Sequence, residues 1–295
     1  MSHGTPAARL KELVTGPELL VMPGVFDPLG AKLAERAGFP AVQCTGLGIS
    51  AVHLGYPDYS MLSMTDMVTY TERIARSVDI PVMGDADTGF GNAVNVHYTV
   101  QAFERAGAAG INLEDQVVPK RCGHLDGKQV IGLDEAVAKV RAAAAARRDP
   151  DFVVNARTDA LPVEGIDGVL RRGNAYLEAG ATMVFVDGAD SRESIRAAVE
   201  GIDGPVAVNI VEGGKSPHGL TFTELQELGV ARVSLPGVLL MSALHGMREA
   251  LSRVRADDGT WNLGDLTMPF HEAHDLVGTR EIEQLEALHH VHHVR

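Results

Sequence analysis

The stretch IPVMGDADTGFGNAVNVHYTVQAFERAGAAGINLED, Ile80–Asp115, decides the fold. It opens on a short apolar run, Ile80–Asp87, that stays apolar at successive positions, as a strand covered on both faces requires. It then passes into NVHYTVQAFERAGAAG, whose apolar residues recur at helical spacing and whose glycines end the helix. It closes on a second apolar run, Ala109–Asp115. That is one strand–helix–strand unit with parallel strands.

The same unit recurs in both directions. Apolar runs lie at Glu18–Val25, Ala41–Gly46, Asp151–Asp159, Thr182–Gly188, Pro205–Ile210 and Ala231–Pro236, which makes eight with the first two. Between them DPLGAKLAERAG, LDEAVAKVRAAAAARRD, GVLRRGNAYLEAGA and TFTELQELGVA read as further helices. Eight alternations favour an α/β fold of the closed (β/α)8 TIM-barrel type over an open sheet. Such a barrel needs about 250 residues. The expected division is a catalytic barrel over 1–255 and a helical extension over 256–295. Helices in PFHEAHDLVGTREIEQLEALHHVHHVR, Pro269–Arg295, have no apolar partner in the barrel pattern, so they are expected to pack on a neighbouring subunit.

Composition narrows the function. The chain has 295 residues and a formal net charge of −13, which disfavours nucleic acid as a partner. No apolar run of about 18 residues predicts a membrane span, and no signal-peptide core opens the chain. With only two cysteines, Cys44 and Cys122, no disulfide framework is expected, and a reducing, cytoplasmic setting follows. Cys44 lies inside an apolar strand and reads as a core residue.

Active sites of such barrels lie at the C-terminal ends of the strands. Polar residues collect there: Thr45, Asp85 and Asp87, Glu114 and Asp115, Arg157 and Asp159, Asp187, and Asn209 with Glu212. Asp27 and Asp134 fit a plainer role as helix caps. In D-A-D-T-G-F-G, Asp85–Gly91, two carboxylates two residues apart finish a strand, and Glu114 finishes the next. Clustered carboxylates need a cation, and oxygen-only ligands suit magnesium, or manganese, rather than zinc. Pairing with Lys120, Arg121 or Arg157 is the structural alternative. In E-D-Q-V-V-P-K-R-C-G-H, Glu114–His124, cations flank Cys122 and favour its thiolate, while Gly123 lets the loop move as a lid. Arg157 in N-A-R-T-D-A offers a fork for a carboxylate. T-G-L-G, Thr45–Gly48, offers backbone N–H groups. N-I-V-E-G-G-K-S-P, Asn209–Pro217, is a further polar strand end.

These motifs, in this order from about Leu20 to Met247, resemble the isocitrate lyase/phosphoenolpyruvate mutase superfamily. The resemblance implies Mg2+ (Mn2+ as a substitute) held by Asp85, Asp87 and, largely through water, Glu114. It implies that Thr45, Gly46 and Leu47, with Arg157, hold a small 2-oxo or 2-hydroxy acid. Asp58, Gly123, Asp187, Asn209 and Glu212 complete the expected substrate-binding set, and Cys122, His124 and Arg157 the catalytic one. It implies a homotetramer of helix-swapped dimers. The implied reaction is retro-aldol cleavage of a 2-hydroxy di- or tricarboxylate, with Cys122 protonating the departing enolate. Phosphonate chemistry is the alternative, because phosphorylmutases of the superfamily share P-K-R-C-G-H. Three departures stand out, the first being Thr45-Gly46-Leu47-Gly48 where methylisocitrate lyases have Ser-Gly-Gly-Gly. Gln43 replaces the Tyr of methylisocitrate lyases, which leaves the general base unassigned. Met241 falls where they carry Arg, which favours a dicarboxylate over a tricarboxylate.

Overall fold

The structure, a computed structural model, describes residues 4–121, 127–211, 213–214, 216–217 and 219–289. In chain order the elements begin α1 (Pro6–Thr15), β1 (Leu20–Val25), α2 (Pro28–Arg36), β2 (Val42–Cys44), α3 (Gly46–Leu54), α4 (Met64–Ala75) and β3 (Val82–Asp85). The middle of the chain forms α5 (Ala93–Arg105), β4 (Gly110–Glu114), α6 (Leu133–Ala146), β5 (Val153–Thr158), α7 (Leu161–Glu178) and β6 (Met183–Val186). Then follow α8 (Arg192–Gly201), β7 (Val206–Asn209), α9 (Phe222–Glu227), β8 (Arg232–Leu235), α10 (Val238–Asp257), α11 (Phe270–Leu276) and α12 (Thr279–Leu288).

The eight strands close in sequence order into a barrel, with β8 pairing β1 and every pair parallel. The (β/α)8 expectation therefore holds. Strand residues alternate between the outer helices and the barrel interior. Outward, Val184, Val186, Val206, Val208 and Val233 pack against Val169 of α7, Ile195 and Ala198 of α8, and Leu225 of α9. Inward, Met22, Met83, Met183, Phe185 and Ala207 join Leu10 and Val14 of α1 in one cluster with residues at the strand starts. Thus α1 plugs the N-terminal mouth, and the C-terminal mouth is left for chemistry. The plug helix begins on Pro6, with the Thr5 hydroxyl accepting from the Ala8 N–H.

Asp27 caps α2, accepting from the Gly30 N–H at 2.7 Å. Asp134 lies instead in the first turn of α6, whose N-cap is Gly132, so it faces the helix dipole without capping. Cys44 is buried, accepts from the Thr71 hydroxyl, and has its thiol pushed up to about 12 by burial, as befits a core residue. The chain divides into two compact units, Met1–Leu239 and Leu240–Arg295. Within the second, α10 runs on through Ser252 to Asp257 before α11 and α12.

Candidate active site

The site is built on the ends of β2 to β7. After β3, the chain turns sharply: Asp87, Gly89, Phe90 and Gly91 all have positive φ. At Gly89 this is doubly constrained, because a Cβ there would sit 2.3 Å from Val96 Cγ2. The turn folds Asp87 back over the barrel, its N–H donating to Asp85 Oδ1 at 3.2 Å. Opposite, β2 ends at Cys44 and α3 starts at once. The Thr45 side chain makes no cap hydrogen bond, so it leaves the first-turn N–H groups of α3 to other acceptors. One of them, Gly46 N–H, donates to Asp85 Oδ2 at 3.0 Å. The approach demands glycine: a Cβ at 46 would lie 2.8 Å from that oxygen.

Asp58 arrives from the segment after α3. The buried Lys120 ammonium bridges it to Asp87, at 2.7 Å and 2.8 Å. Burial pulls this ammonium's pKa down, but Asp87, Asp58, Glu114 and Asp85 outweigh that and hold it well above the ordinary lysine value. Burial pushes Asp87 up to about 6; Lys120 opposes the shift and Asp85 and Asp58 add to it. Burial likewise raises Glu114 well above the usual carboxylate range, against Arg157 and Lys120, with Asp159 and Asp87 adding to it. Glu114 Oε1 is buried without a hydrogen-bond partner among the described residues.

Arg157 lies across the floor. Its Nε is 3.3 Å from Glu114 Oε2, and its fork grips Asp159 through two bonds of 2.9 Å. The fork that sequence reading aimed at a ligand carboxylate is therefore engaged by Asp159 here. A second cation was missed in the sequence: Lys128, buried, donates to Asp159 at 2.8 Å and to Asp187 at 2.9 Å. Asp187 in turn lies 3.3 Å from Arg157 and accepts from Asn209 at 2.9 Å. Asp187, itself held by Asn209, thus orients Arg157 and Lys128. Nothing in the sequence marked Lys128, because an isolated lysine in a polar loop looks like a solvated one.

The pairing alternative is realised for Lys120 and Arg157, yet acid is in excess. Asp58, Asp85, Asp87, Glu114, Asp159 and Asp187 face only Lys120, Lys128 and Arg157 in these contacts. Asp115 belongs elsewhere. It accepts from the Thr158 and Tyr176 hydroxyls and the Asp159 N–H and pairs with Arg172, tying β4 to β5 and α7. Arg121 closes the base of the following loop through its backbone, which exchanges two bonds with the Gln116 amide. Cys122, Gly123, His124 and Glu212 lie outside the described residues. Leu47 is half-buried beside Gly46.

Among the described residues no three His, Cys, Asp or Glu side chains are already gathered as a ligand group, but the chemistry of the donor set is that of a hard divalent ion's site. It is all oxygen, two of its acids are destabilised as anions, and one buried carboxylate oxygen lacks a partner. None of these described groups is the histidine or thiolate that zinc favours.

Residues 10–255 match the family described as phosphoenolpyruvate phosphomutase. The chain is 42% identical to a 2,3-dimethylmalate lyase of Eubacterium barkeri over 95% of this chain and 96% of that one. It is 38% identical to a 2-methylisocitrate lyase of Aeropyrum pernix, over 96% and 90%. Among solved structures, an oxaloacetate acetylhydrolase bound to 3,3-difluorooxalacetate superposes with a TM-score of 0.92 at 34% identity, over 98% and 99%. A phosphonopyruvate hydrolase complex with oxalate and Mg++ superposes at 0.87 with 34% identity, over 96% and 99%. The chain belongs to the phosphoenolpyruvate mutase/isocitrate lyase superfamily.

Proposed function

We propose that this chain is a magnesium-dependent carbon–carbon lyase that cleaves a 2-hydroxy dicarboxylate, of the 2,3-dimethylmalate kind, to a 2-oxo acid and a carboxylic acid. The observation that carries the reading is the acid-rich floor formed by Asp85, Asp87 and Glu114 beside Arg157 and the open first turn of α3. A 2,3-dimethylmalate lyase and a 2-methylisocitrate lyase, matched over nearly their full length at 42% and 38% identity, support the lyase reading over the phosphonate one.

Asp85, Asp87 and Glu114 would hold the ion, with Mn2+ as a substitute. When bound, the metal supplies charge stabilisation for a 2-oxygen and its neighbouring carboxylate. The residues do the rest. The Thr45 side chain, whose own N–H is taken by the Val25 carbonyl, the N–H groups of Gly46 and Leu47 and the Arg157 guanidinium hold the oxo-acid half of the substrate. Asp58 and Lys120 hold Asp87 in place, while Asp187 and Asn209 hold Arg157. Loss of the substrate's hydroxyl proton breaks the bond between the carbinol carbon and its neighbour. The electron pair leaves on the second fragment as a carboxylate-stabilised enolate. Cys122, on the loop with Gly123 and His124, delivers the proton that completes it. Glu212, outside the described residues, completes the expected substrate-binding set. Gln43 has no basicity, so the proton acceptor differs from the Tyr of methylisocitrate lyases. The enzyme works in the cytoplasm as a homotetramer of helix-swapped dimers. No helix of the described residues is long and apolar enough to cross a membrane.

The test is a substrate panel in which release of 2-oxo acid is followed with and without Mg2+. 2,3-Dimethylmalate is expected to turn over best, ahead of 2-methylisocitrate, isocitrate and oxaloacetate. Phosphorus NMR on phosphonopyruvate covers the phosphonate reading. Turnover of phosphonopyruvate alone would overturn the lyase assignment.

A further inference from the structure

One cation in the barrel serves none of the contacts above. Arg232 opens β8, is fully buried, and points into the barrel interior, one layer below the carboxylate floor. Its guanidinium donates to Gln43 Oε1 and, at 3.3 Å, to Asn112 Oδ1. Asn112 also accepts from Asn155 at 2.6 Å, and pairs in register with Asp85. Both guanidinium partners are neutral amides, no carboxylate pairs with Arg232 among the described residues, and its Nε has no partner there. Burial pulls this guanidinium down to about 9. A buried charge held only by neutral groups is costly, so a role outside folding is the natural explanation.

The position supplies that role. Arg232 and Arg157 lie against the same Phe185 ring, at 5.7 Å and 5.3 Å from its centroid. The two cations are therefore no farther apart than those distances together. Low-dielectric surroundings let a fixed charge act over such a range. Above it, carboxylates outnumber cations, and a substrate that is itself an anion must bind among them. Gln43, which replaces the Tyr of related lyases, is the group that holds Arg232 in place.

We propose that Arg232 is a positioning cation of the site, which offsets the acid excess from below and so trades some affinity for the metal against affinity for the dianionic substrate. The proposal rests on the reading that a divalent ion and an oxo acid share the floor above it. It makes two affinities move in opposite directions, which a structural residue would not do. Removing the charge should tighten Mg2+ binding and weaken anion binding.

The experiment uses the full chain and calorimetric titration of two probes, Mg2+ alone and oxalate at saturating Mg2+. Arg232→Met is expected to bind Mg2+ about tenfold tighter and oxalate about tenfold weaker than the wild type. Arg232→Lys is expected to return both to within about threefold of the wild type, since it restores the charge. Arg232→Gln serves as a second neutral variant should the Met variant fold poorly. The inference is overturned if both affinities change in the same direction, if neither changes, or if both neutral variants fail to fold. A wild type that binds neither probe overturns the lyase reading itself. A wild type that binds both, with unshifted variants, overturns this inference alone.

Discussion

Asp87 carries the conflict of the site in one side chain. Burial raises its carboxyl to about 6 against an ordinary 3.8, despite the Lys120 ammonium at 2.8 Å. A carboxyl raised on folding contributes stability that is fully present below the unfolded value and is lost as pH rises through the folded one. The metal-free protein should therefore lose stability between about pH 4 and 7, by about 3 kcal/mol from this group. Asp87→Asn should be more stable than the wild type at pH 7.5 and gain nothing at pH 4, read by thermal melts in chelator. Mg2+ affinity should fall as pH drops through about 6, because proton and ion compete for one group. Cys122→Ser separates chemistry from binding: 2-oxo acid release should drop by a factor of at least about 100, with Mg2+ affinity unchanged in a direct titration. Asp85, Asp87, Glu114 and Arg157 were legible in the sequence because each closes an apolar run, where a barrel puts chemistry. Lys128 and Arg232 were not. One sits in a polar loop and the other opens an apolar strand, and only closure of the barrel shows that both are buried.

At the scale of elements, the parts the sequence hid are those without helical periodicity. α3, GLGISAVHL, is apolar nearly all round and holds two glycines, so its sequence shows backbone N–H groups but no helical periodicity. As a helix it brings one of those groups, the Gly46 N–H, to Asp85. α1 is amphipathic but precedes the first strand, and its plugging role requires a barrel end that only the closed sheet creates. Leu10 and Val14 are fully buried against strand-start residues there. Leu10→Ala should cost about 2–5 kcal/mol in urea unfolding, the usual range for a core leucine. It should leave Mg2+ and oxalate titrations unchanged, because the plug and the carboxylate floor close opposite ends of the barrel. An altered oxalate affinity in this variant would mean that the plug sets the position of the strand ends.

For the whole molecule, the second compact unit is the open question, and its surface supplies the argument. On α10, Leu244, Met247 and Leu251 recur at helical spacing, and Leu251 is 71% exposed. In α11, Phe270 is 81% exposed, and Ile282, Leu285 and Leu288 of α12 form a further exposed row. Scattered exposed apolar residues are ordinary, but rows of them on successive helices mark a surface that another protein covers. The extension's sequence pointed the same way, since its apolar residues lacked a place in the barrel pattern. A chain with net charge −13 repels its own copies, so association must come from such apolar rows. We therefore expect a homotetramer by sedimentation equilibrium at moderate salt. Replacing Phe270→Glu and Ile282→Glu together should shift it to smaller species, while the barrel retains its secondary structure and its Mg2+ affinity. A wild-type chain that sediments as a monomer at all accessible concentrations would sink the helix-swapped assembly, and would leave the acid floor, which one barrel supplies alone, untouched.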